Sequence, residues 1–162
     1  MTAATTSRAG AQIDGLYTAL LALSGSVTVV DGPPLSWDPI VVPAPGAINE
    51  AAYLFVGARP DDDTSTTGDQ EDNTLGSGRA EDLETYCTAY VRSGDDVPLK
   101  TLRDQALGLI AAVEQAIRVD ATLGGAVATS RVSNVDRVDQ RRTDDGADVI
   151  VLFTVTGKAF LR

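Results

Sequence analysis

Apolar positions near the start of the chain recur at helical spacing. In "GAQIDGLYTALLALS" (10–24), Ile13, Leu16, Tyr17, Leu20 and Leu23 share one face, which predicts an amphipathic helix stopped at Gly25. The β-branched run "SVTVVDG" predicts a short strand ending in a turn at Asp31-Gly32. Residues 33–50 hold Pro33, Pro34, Pro39, Pro43 and Pro45, and each proline removes a ladder donor. The segment is expected to be a long extended loop with Trp37 as its one large anchor. "AAYLFVGA" (51–58) predicts the next strand. From Glu81 to Arg92 the pattern alternates strictly. Leu83, Thr85, Cys87, Ala89 and Val91 point one way, and Glu84, Tyr86, Thr88, Tyr90 and Arg92 the other. That is a strand with one apolar face and one polar, aromatic-edged face.

A second helix is expected from an N-cap at Asp96, with Pro98 in its first turn, to about Asp120. Leu102, Ala106, Leu109, Val113 and Ile117 would form its buried stripe. Its middle, "ALGLIAAV", is apolar nearly all round, which predicts cover on a second side, with Ala112 the candidate contact to a neighbouring subunit. "TLGG" ends it, with Gly124 taking the left-handed cap. Two strands follow, over roughly 126–138 and 147–156, joined by the hairpin signal "TDDG" (143–146). "DVIVLFTVT" is apolar on both faces and is expected to be a central strand. The fold class is α+β: an antiparallel or mixed sheet of about five strands, two main helices packed on one face, and long loops between strands. A single domain is expected over 10–162, after a flexible N-terminal arm at 1–9, with loops 33–50 and 59–79 as insertions.

Charge changes this picture at one place. The chain of 162 residues carries a net charge of −10, and six acidic residues fall within "DDDTSTTGDQED" (61–72): Asp61, Asp62, Asp63, Asp69, Glu71 and Asp72. Acidity this concentrated argues against an electrostatic grip on nucleic acid and for a solvated or partner-facing loop. As a calcium loop it fails. Counted from Asp69, position 6 is Thr74 and position 12 is Ala80, where glycine and glutamate are required; counted from Asp61, position 6 is Thr66. With no histidine in the chain, zinc sites and Ser-His or Cys-His catalysis lose their usual ligand and base. The lone Cys87 leaves no intrachain disulfide and, mid-strand on an apolar face, reads as core. No metal, no cofactor and no enzymatic activity are expected. Arg131, Arg137, Arg141 and Arg142 cluster in the last hairpin, interleaved with Asp136, Asp139, Asp144 and Asp145. They suit half of a charge-complementary protein interface or a solvated hairpin face. No stretch reaches the roughly 20 apolar residues of a membrane span. The opening "MTAATTSRAG" has no apolar signal core, so assembly in a cytosol is expected.

The chain resembles the tail terminators, or tail-completion proteins, of long-tailed bacteriophages. The resemblance is carried by "GLYTALLALSGSVTVVDGPP" (15–34), "YLFVGA" (53–58), "EDLETYCTAYVRSGDD" (81–96), "LRDQALGLIAAVEQAIRVDATLGG" (102–125) and the ending "VIVLFTVTGKAFL", in that order. It implies a structural virion protein, made in the bacterial cytoplasm, that forms a homohexameric ring on the head-proximal end of the tail. Such a ring caps the tail tube, ends its polymerisation and offers the surface for head-tail joining. The implied partners are other copies of the chain, the tail tube protein, a neck or head-completion protein, and double-stranded DNA passing through the lumen without specific binding. A neck or head-completion ring of the same virion class is the alternative within virions; a small acidic enzyme of unknown substrate is the alternative outside them.

Overall fold

The computed structural model of the chain describes residues 7–37, 40–41, 50–72 and 78–161. Its frame is a pair of long antiparallel strands, β6 (Arg79–Ser93) and β8 (Gly146–Leu161), in register along the whole of β6. At ~3.4 Å per residue they run about 50 Å. Around them lie β1 (Thr28–Asp31), β4 (Glu50–Val56), β5 (Thr66–Asp72) and β7 (Thr129–Thr143), in the order β1-β4-β6-β8-β7. The sheet is mixed, because β1 runs parallel to β4 while the other pairs are antiparallel. β4 takes positions 87–93 of β6 and β5 takes positions 79–85 of the same strand edge.

Helices α1 (Ala9–Leu20) and α2 (Leu99–Val119) pack on one face of this sheet, so the fold is α+β as the pattern predicted. Leu16 and Leu20 of α1 and Ala106, Ile110 and Val113 of α2 meet Leu83, Cys87, Val151 and Phe153 in one buried cluster. The buried stripe of α2 passes through Ile110; Leu109 is only half-buried, one position off the expected face. β8 is flanked on both sides, and Ala147–Val155 are all buried, which explains a strand apolar on both faces. On the other face a smaller cluster forms from Phe55, Ala58, Tyr90, Ile150 and Leu152. It is covered by Trp37, from the two-residue strands β2 (Ser36–Trp37) and β3 (Ile40–Val41), which meets Phe55 edge-on at 5.1 Å.

The structure corrects several boundaries. Residues 66–72 are a strand, not part of a loop. They carry no apolar side chain; what recruits them is the length of β6, whose 79–85 edge extends past β4 and offers unpaired backbone groups. The proline-rich segment contains β2 and β3, and the rest of it, 38–39 and 42–49, lies outside the described residues. Pro98, not Asp96, stands at the N-cap of α2, and the Asp96 carboxylate instead pairs with Arg142 at 3.2 Å. α2 ends at Val119, and Asp120 organises the following turn by accepting hydrogen bonds from Thr122 N, Thr122 Oγ1 and Gly124 N. These bonds lower the Asp120 pKa. The left-handed conformation starts one residue before Gly124, at Leu123, with φ of 51°. β7 and β8 extend to 143 and 161, because the hairpin pairs without interruption from its turn and β8 continues along the start of β6.

Of the expected N-terminal arm, residues 1–6 lie outside the described residues, while Ser7 and Arg8 are tied down. The buried carboxylate of Glu81 on β6 accepts hydrogen bonds from Ser7 Oγ at 2.6 Å and from the backbone N–H of Arg8 at 2.7 Å. The strand carboxylate thus caps the Arg8 N–H and holds Ser7, whose Oγ in turn accepts from Ala9 N at 3.1 Å at the start of α1.

Candidate functional site

The helix-free face of the sheet collects the polar half of the β6 alternation. Cross-strand register places Glu84, Tyr86 and Thr88 beside Thr156, Thr154 and Leu152 of β8, and these beside Arg131, Asn134 and Arg137 of β7. The segment between β4 and β5 lies over this face. Arg59 stacks its guanidinium on the Tyr86 ring, 3.8 Å from the centroid, and bonds Asp62 at 2.6 Å. Hydrogen bonds from Thr64 and from Arg59 hold the Asp62 carboxyl down to about 2. Asp61 reaches Arg137 of β7 at 3.2 Å, and Arg137 also bonds Asp139 at 2.8 Å.

The predicted interface residues therefore separate into two groups. Several neutralise one another or a neighbour within the chain: Asp61 with Arg137, Asp62 with Arg59, Asp72 with Arg79 at 3.2 Å, Arg142 with Asp96, and Arg141 with Asp148 through two hydrogen bonds of 2.9 and 2.8 Å. Asp63, Asp69, Glu71 and Arg131 have no ion pair among the described residues. Asp69 and Glu71 stand on the helix-free face of β5, and Arg131 stands on the same face of β7. Ala112 is half-buried on α2, near the exposed Leu107 and Ala111.

Sequence reasoning missed Arg59, Asp148 and Glu81. Arg59 was readable in part, since a strand face carrying Tyr86 and Tyr90 invites a cation; Asp148 and Glu81 needed the register of β8 and of α1 to become visible.

Among the described residues no group of three His, Cys, Asp or Glu side chains is placed to hold a metal ion. Cys87 is fully enclosed, and burial pushes its thiol up to about 12, so it presents no thiolate. Burial likewise raises the Tyr90 phenol to about 12, helped by the neighbouring Asp148 carboxylate. No helix of the described residues is long and apolar enough to cross a membrane. Two shallow grooves open on the surface. One, of about 420 Å³, lies between α2 and the β4–β6 end of the sheet and is lined by Ala52, Val97, Leu102 and Leu109. The other, of about 690 Å³, lies between α1 and the turn after α2 and is lined by small residues and Val119.

No protein-family model matches the chain, and no curated protein matches it. Among solved structures it is similar to a chain from the virion of a native gene transfer agent particle, with 14% identity and a TM-score of 0.38, covering 96% of this chain and 100% of that one.

Proposed function

We propose that this chain is a structural virion protein of the tail-terminator type: a subunit that assembles into a ring, hexameric by resemblance, at the head-proximal end of a phage tail. One observation carries the reading. The segments that resemble the family fall in order on α1 through β1, on β4, on β6, on α2 with its turn, and on β8, which together build four adjacent strands of the sheet and its helical layer. The segments outside the resemblance fall on the periphery, at β2–β3, at β5 with the segment before it, and at the edge strand β7. Among the described residues, a surface of arginine–carboxylate pairs and strand edges without a strand partner also suits assembly better than turnover.

In this reading the ring ends tail-tube growth on one side and receives a neck protein on the other, with DNA passing through its lumen. The acidic character of the chain would leave passing DNA little to adhere to. The test is in two steps. Light scattering of the purified protein should give a mass of roughly 100 kDa for six chains of 16.9 kDa each. Gold-labelled antibody should then mark one end of isolated tails. Label at the head vertex in place of the tail end would favour the neck-ring alternative, and a monomer at every concentration would end the ring reading.

A further inference from the structure

We infer that copies of this chain join head to tail by adding β5 of one copy, antiparallel, to the first part of β7 of the next. The inference rests on the self-assembly reading above and names the surface that would carry it. Among the described residues β5 has a neighbour only in β6, and β7 only in β8, so each leaves one row of backbone donors and acceptors without a strand partner. The two edges are at opposite sides of one sheet, as a heterologous, ring-closing contact requires.

Direction, level and face all agree. β5 and β8 each run opposite to β6, and β7 runs opposite to β8. β5 and β7 therefore point in opposite directions within one chain, and a neighbour brought alongside without inversion presents β5 antiparallel to β7. The register follows one row from Thr67 to Glu84, Thr156 and Arg131, and the next from Asp69 to Asp82, Lys158 and Thr129. Arg131 thus meets the neighbour at the level of Thr67, one same-face step from Asp69. β7 is regular from Thr129 to Val132, and its first bulge comes only after that stretch, so the part of the edge that β5 would meet is straight.

Charge then selects the pairing. β5, "TTGDQED", contains three acidic residues and no basic one, and Asp69 and Glu71 have no counter-ion among the described residues. Asp69 also stands directly opposite Asp82 across the ladder, a like-charge pair whose one ion-pair partner among the described residues is Lys158, 3.7 Å from Asp82. Arg131 is the one arginine of β7 without a carboxylate partner among the described residues. Docking supplies Arg131 to the Asp69–Asp82 pair, and a second copy is the occupant whose charge, strand direction and face all match.

The decisive experiment uses full-length Asp69→Cys and Arg131→Cys proteins, separately, mixed and combined in one chain, with a short bifunctional thiol reagent. The buried Cys87 does not compete. The mixture is expected to yield a covalent dimer, the combined variant a ladder ending in a closed ring, and each single variant neither. In parallel, Arg131→Glu is expected to weaken self-association at least about tenfold, and mixing it with Asp69→Arg/Glu71→Arg is expected to recover hetero-association. If wild type forms rings but 69 and 131 do not cross-link and Arg131→Glu assembles normally, the β5–β7 contact is wrong and the ring reading stands. If wild type stays monomeric, both fail.

Discussion

The side-chain amide of Gln12 on α1 rests against the α-carbon of Gly157 on β8, so close that a β-carbon at 157 would lie 2.0 Å from Gln12 Oε1. Gln12 is fully buried; its Nε2 donates to Thr85 Oγ1 at 2.9 Å and to the Val155 carbonyl at 3.3 Å, while Oε1 has no partner among the described residues. The amide thus pins α1 to the sheet and depends on the missing side chain at 157. Gly157→Ala is expected to expel the amide and cost about 2–3 kcal/mol, read as a lower urea midpoint. Gln12→Ala removes the obstacle, so the double variant should be less destabilised than the sum of the two singles. Strict additivity would mean that the two residues do not interact.

Glu81 offers a pH-dependent counterpart. Burial alone would raise its pKa, but the hydrogen bonds from Ser7, from the backbone of Arg8 and from Gln70 outweigh this and leave it below the ordinary glutamate value. A depressed folded pKa stabilises fully above the unfolded value, about 4.3, and the stabilisation is lost as pH falls through the folded pKa. Glu81→Gln should therefore cost about 1–2 kcal/mol at pH 7, with the gap to wild type narrowing as pH falls below the unfolded value in thermal melts taken across pH. A gap that stays constant down to pH 3 would show that the carboxylate charge contributes nothing.

Much of this fold was legible because its main elements carry their own periodicity. The β6 alternation separates the two faces of the sheet, and the α2 stripe is misplaced by one residue only, at Leu109 against Ile110. The unpatterned β8 run told its position through being buried on both sides. What could not be read is whatever depends on a distant partner. β5 has no hydrophobic signal, since backbone pairing to an overlong neighbour makes it a strand. Asp61 and Arg137 are 76 positions apart and meet only because the segment before β5 crosses the sheet. Of the candidate interface, the residue types were found from charge, but which charges are already neutralised within the chain required the register.

That distinction divides the acidic segment into two experiments. Asp61, Asp62 and Asp63 are exposed, and exposed ion pairs contribute at most about 1 kcal/mol. Replacing 61–63 with Gly-Ser residues should leave the melting temperature within a few degrees, roughly the shift expected for ~1 kcal/mol in a chain of this size. Replacing 66–72 the same way removes the Thr66–Thr85 and Gln70–Glu81 contacts and uncovers the β6 edge, so it should lower the melting temperature clearly more. Equal effects from the two replacements would mean that β5 contributes nothing to stability.

Helix α2 supplies the last prediction. Its inner stripe is buried, yet Leu107 is 38% exposed with Ala111 open one turn on, and Ala112, which faces away from the buried stripe beside Gly108, Leu109 and Ala116, is only half-buried. A helix covered only by its own sheet gains nothing from apolar residues there, whereas a neighbouring subunit would bury them. A glutamate at 112 can carry its carboxylate out to water along its methylenes, so Ala112→Glu should change the stability of the isolated chain by less than about 1 kcal/mol. In an assembled ring the same charge would be desolvated against the neighbour, at a cost of several kcal/mol per subunit. Chemical denaturation of dilute protein should therefore barely distinguish the variant from wild type, while light scattering at assembling concentrations should find it dispersed. Rings of normal mass and stability from Ala112→Glu would remove this part of α2 from any subunit contact and leave the strand edges to carry the assembly.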